Sequence, residues 1–81
     1  MNVSDTIRTI ISRRGTTQSA VARSLGVSQP AIASVLSVGN PQTRVLAHIL
    51  DSLDYRLVAV PAEQPLPQDA IQIEPAERER R

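Results

Sequence analysis

The sequence predicts a mostly α domain: four helices, then one β-strand, then a polar tail. Three observations carry this. Aliphatic residues recur at helical spacing in four stretches before Asp54, marked off by capping residues, glycines or proline. After Asp54 the period shortens, and Tyr55 to Val60 (YRLVAV) is rich in β-branched and aromatic residues until Pro61 stops it. Residues 61–81 then hold four of the six prolines among Glu, Gln and Arg, a composition that favours a flexible tail. These shifts divide the chain into a helical domain over 1–54, a strand over 55–60 and a tail over 61–81.

The first helix is predicted from Ser4 to Arg14. Ser4 supplies a cap, and Asp5 lies in the first turn, where negative charge is favoured. Val3, Ile7, Ile10 and Ile11 make its apolar face, and Gly15 ends it. The second helix runs from Gln18 to Ser24 with Thr17 as cap, turning Ala20, Val21 and Leu25 inward. Gly26 breaks the pattern as a residue of positive φ does. The third helix opens at Ser28 and runs to Ser37; Pro30 is tolerated in its first turn, and Ile32, Val35 and Leu36 face the core. Gly39-Asn40-Pro41 is a loop by turn chemistry. The fourth helix starts at Gln42 or Thr43 and ends at Leu53, with Val45, Leu46, Ile49, Leu50 and Leu53 as its stripe. In the tail only Ala70 to Glu74 (AIQIE) resembles a strand.

Composition narrows the function classes. A chain of 81 residues implies one domain. Such a domain is marginal alone and often relies on oligomerisation. There is no cysteine, and His48 is the single histidine, so neither a disulfide framework nor a zinc site is expected. His48 lies off the apolar stripe and reads as exposed. Tyr55 is the only aromatic residue, which excludes a stacking platform for single-stranded nucleic acid. No catalytic constellation, cofactor or metal is expected. The chain lacks an apolar run of membrane-spanning length and a signal-peptide pattern, which points to the cytoplasm. Residues 1–60 carry six arginines against three aspartates, a balance of +3, whereas residues 61–81 carry three arginines against five acids, a balance of −2. The first part is the half suited to phosphate.

The span from Gln18 to Ser37 meets the demands of a helix-turn-helix. Two helices crossing steeply need a small residue at their closest approach, an unstrained turn residue and apolar residues at the corner. Ala22 supplies the first and Gly26 the second; Val21, Leu25, Val27, Ile32 and Val35 supply the third. The stretch TQSAVARSLGVSQPAIASVLS resembles the helix-turn-helix of lambda-repressor-like (Xre-type) transcriptional regulators, and the resemblance covers about Val3 to Tyr55. The following LDSLDYRLVAVP is similar to the helix-to-strand ending of Xre-type antitoxins from bacterial toxin–antitoxin pairs. The usual residue there at Asp54 is glycine, and aspartate tolerates the left-handed conformation better than most residues.

The resemblance implies a lambda-repressor-like fold whose third helix enters the major groove of double-stranded DNA. Ser28, Gln29, Pro30, Ala33 and Ser34 then face base edges. Gln29 is the only long hydrogen-bonding side chain among them, and its amide can pair with adenine N6 and N7. So sparse a reading face leaves part of the specificity to DNA shape. Phosphate contacts fall to Gln18 at the start of the second helix, with Asn40, Thr43 and Arg44 across the groove and Arg23 assisting. The plainer alternatives are a solvated Gln29 and an Arg44 that is only surface charge. Arg8, Arg13 and Arg14 read as solvated or as capping the first helix.

A lone strand leaves its ladder groups unpaired. Tyr55, Arg56, Leu57, Val58, Ala59 and Val60 therefore either pair with the same residues of a second copy across a two-fold axis or pack back on the first and fourth helices. Pairing sets two recognition helices one DNA turn apart, as a palindromic operator requires. The leading expectation is a bacterial or phage homodimeric repressor that regulates its own promoter. The alternatives are an antitoxin whose tail binds a toxin, and a protein-interaction module that has lost DNA binding.

Overall fold

A computed structural model describes residues 2–39 and 41–74. Within them lie four helices, α1 (Val3–Arg13), α2 (Gln18–Leu25), α3 (Gln29–Val38) and α4 (Thr43–Ser52). Three begin where a side-chain oxygen accepts a free N–H of the first turn. Asn2 Oδ1 accepts from Asp5 N at 2.8 Å, Thr17 Oγ1 from Ala20 N at 3.1 Å, and Ser28 Oγ from Ala31 N at 3.3 Å. Thr17 and Ser28 take the roles read from the sequence. Ser4 does not: Asn2 starts α1 before it, so Ser4 falls inside the helix and turns inward. It is buried, and its hydroxyl donates to the carbonyl of Leu36 at 2.6 Å.

Three helices stop in the same way. At α2 the chain turns left-handed at Gly26 (φ 73°); Gly26 N donates to Arg23 O and Val27 N to Ala22 O. This pair of bonds satisfies carbonyls that a helix end leaves open. The pattern recurs at Gly15 after α1 and at Asp54 after α4. Asp54 is the only non-glycine residue of positive φ among those described, at 63°. It takes the left-handed conformation that aspartate tolerates better than most residues.

The core is aliphatic. Ile7, Ile10 and Ile49 are almost wholly buried, and Ile32, Leu36, Val21, Ala22, Leu50 and Leu53 join them. Val3, Leu25, Val35 and Val45 pack at its margin. Val27 departs from expectation: it stands 45 % exposed and does not close the corner. The left-handed turn at Gly26 holds the corner through backbone bonds, so the next side chain can point outward. Helix α3 packs on α2 and α1, and α2 also meets α4.

The expected strand is not formed. Residues 55–60 carry no ladder, and no strand occurs among the described residues. The single chain provides no partner edge: residues 61–74 return toward the body without pairing with 55–60. Ile71 packs against the core, and Arg13 Nη1 donates to the Asp69 carbonyl at 3.3 Å. No described helix is long and apolar enough to cross a membrane.

Ile49 is fully enclosed, so Ile49→Ala removes transfer free energy and leaves a cavity. The expected loss is about 2–5 kcal/mol, a large share of the roughly 5–15 kcal/mol that holds a domain folded. Urea denaturation followed by circular dichroism measures it. A loss below about 1 kcal/mol is incompatible with this core.

Candidate nucleic-acid interface

The corner formed by α2 and α3 has a dry side and a wet side. Val21, Ala22, Ile32 and Leu36 lie on the dry side. Gln29, Pro30 and Ser34 are exposed on the wet side, and Ala33 is half-buried. The burial pattern thus separates the residues that lock the corner from those that can meet a ligand.

Gln18 and Gln29 are the first residues of α2 and α3. Eleven positions apart, they meet over the turn: Gln29 Nε2 donates to Gln18 Oε1 at 3.4 Å. The contact is long and exposed, and it sets the two amides side by side over the turn. The carbonyl oxygen and second N–H of Gln29 stay available for an outside partner, and these two groups are complementary to the N6–H and N7 of adenine. Ser28 is exposed but occupied, because its oxygen caps α3. Its hydroxyl proton can still be donated outward.

Two of the expected cationic positions are open to solvent. Arg23 on α2 and Arg44 on α4 are exposed. Thr43 and Arg44 begin α4, whose preceding residue Gln42 makes no side-chain cap. The first N–H groups of that helix therefore lack the side-chain partner that the other three have, and such groups suit an anion. Asn40 lies outside the described residues.

Two positioning groups were missed by the sequence reading. Ser4 ties α1 to the end of α3 through the Leu36 carbonyl, and helical spacing gave no sign of a bond 32 residues long. Arg14 is the C-cap of α1, as read, with its backbone N–H on the Ile10 carbonyl, but its side chain reaches away from that helix. Its Nε donates to the Leu53 carbonyl at 3.0 Å and its Nη2 to the Asp54 carbonyl at 3.3 Å. The same guanidinium lies 5.1 Å from the centre of the Tyr55 ring, within cation–π range. Arg14 thus closes the end of α4 and sets where residues 55–60 leave the body.

Among the described residues no cluster of His, Asp or Glu could hold a metal. No protein-family model matches the chain, and no curated protein or solved structure matches it.

Ser4→Ala is expected to lower stability by about 1–3 kcal/mol, because the buried Leu36 carbonyl loses the Ser4 hydroxyl as donor. Its effect should be local. Hydrogen exchange should accelerate most at the end of α3, and uniform acceleration across all four helices would argue against a local tie.

Proposed function

We propose that the protein binds double-stranded DNA and reads the major groove with residues 28–37, acting as a homodimeric transcriptional repressor of the lambda-repressor-like type. The observation that carries this reading is the Gln29–Gln18 amide pair on the solvent side of the α2–α3 corner. The Gln29 amide presents one acceptor and one donor together, on the exposed side of the corner and next to a second amide. That is what recognition of an adenine edge needs.

Other features support the reading without carrying it. Arg23 and Arg44 are exposed, and the start of α4 is uncapped by a side chain, so each of these groups can take a phosphate. Pro30 and Ala33 can pack on a thymine methyl, and Ser34 is free to reach a base or a phosphate. In this reading phosphate contacts set affinity, and one amide with a few small side chains sets sequence preference. DNA shape supplies the remainder. The unpaired 55–60 segment supports two-fold self-pairing, because its backbone groups have no ladder within the chain.

Affinity for a random duplex should fall steeply as salt rises, since phosphate contacts release counterions. An affinity indifferent to salt in a fluorescence anisotropy titration overturns DNA binding. Gln29→Ala should cost about 1–3 kcal/mol at one base pair and relax the preference there. An equal loss on every sequence instead makes Gln29 a phosphate contact. Val58→Pro removes a backbone donor from the pairing segment. The variant should sediment as a monomer at concentrations where the parent is dimeric, and an unchanged dimer refutes the pairing.

A further inference from the structure

Residues 55–60 and 61–74 face each other across a cleft of about 1140 Å³. Ile10, Leu46 and Leu50 contribute to its lining from α1 and α4. Four of the six exposed large apolar side chains of the described residues stand at it: Leu57, Val58, Val60 and Leu66. No backbone hydrogen bond crosses the cleft among the described residues. An apolar surface beside an unpaired extended segment is where a further strand adds.

The returning segment is lightly held. Ile71 is half-buried against the core, and Arg13 donates to the Asp69 carbonyl in an exposed bond. Its other backbone bonds are local turns, from Gln64 to Pro61 and from Ala70 to Pro67. Pro61, Pro65 and Pro67 keep it from continuing any ladder begun at 55–60.

From this geometry we infer that residues 61–74 are a strap that gates self-association. Closed, the strap lies on its own core through Ile71. Released, it opens the cleft to residues 55–60 of a second copy, which pair antiparallel with the same residues. The inference rests on the strand-pairing reading above. A second copy fits the cleft for two reasons. The segment itself carries exposed apolar side chains at Leu57, Val58 and Val60 and no ladder, so each copy offers what the other lacks. The lining also carries both signs of charge, with Arg14 and Arg56 beside Asp51, Asp54 and Asp69, so the cleft does not repel its own copy. Closed strap and paired strand compete. A partner strand must lie about 4.8 Å from 55–60. It brings its own α4 at one end and its own strap at the other, which a cleft walled by 61–73 does not admit.

Loosening the strap should therefore tighten the dimer. Sedimentation equilibrium on the 81-residue chain compares the parent with Ile71→Ser and Arg13→Ala, with helix content checked by circular dichroism. The dimer dissociation constant should fall about tenfold for Ile71→Ser, equivalent to about 1.4 kcal/mol of strap packing lost over the two copies together, and less for Arg13→Ala. If the parent dimerises and neither variant dimerises more tightly, the gate is refuted and the pairing stands. If all three chains stay monomeric, the pairing reading falls and the gate with it. Should Ile71→Ser lose helicity, Arg13→Ala decides alone, because its bond to the Asp69 carbonyl is exposed and outside the core.

Discussion

Four helices of 11, 8, 10 and 10 residues share one aliphatic cluster. Helices this short are marginal in water by themselves, so each depends on the others for its existence. Ile7, Ile10 and Ile49 lie where those dependencies meet, fully enclosed. With no aromatic side chain among the buried core residues, volume must be filled by branched aliphatics, and small changes of shape are felt directly. The α2–α3 corner exists because this cluster pulls Val21, Ala22, Ile32 and Leu36 to one side.

That dependence is also why the exposed side of the corner can be chemically spare. Its geometry is set from beneath, by burial, and at the turn, by the left-handed Gly26 and its two backbone bonds. Gln29 there has one polar side-chain neighbour, Gln18, across the turn. A surface built this way tolerates changes at Ser34 or Pro30 without losing its shape. A change of interest in ligand can be made there without refolding the domain.

Local chemistry was legible in the sequence. Thr17 and Ser28 cap as their residue types suggest, Gly26 turns left-handed, and Asp54 adopts the conformation usually left to glycine. These outcomes depend on residues within a turn of one another. The core stripe of α4 was legible for the same reason, from period alone. Long-range tertiary bonds were not. Ser4 has the chemistry of a cap, and only the packing of α1 against α3 converts it into a donor for Leu36. Arg14 looks like a terminal helix charge, and its partners at Leu53 and Asp54 lie about forty residues away. The 55–60 segment has strand composition, but composition does not supply a neighbouring edge, and the single chain forms none. At the interface, residue types marked which side chains could face DNA, whereas the Gln18–Gln29 contact required the turn to be folded.

The junction after α4 has a practical consequence. Tyr55 is the chain's sole aromatic side chain, and it sits under the Arg14 guanidinium where the helical body gives way to the extended segment. The near-ultraviolet absorption and intrinsic fluorescence of these 81 residues therefore arise at one junction. The molecule carries its own single-site optical label, placed where any rearrangement of residues 55–60 against the body would alter the environment of the ring. No dye or engineered tryptophan is needed to report on that junction in solution.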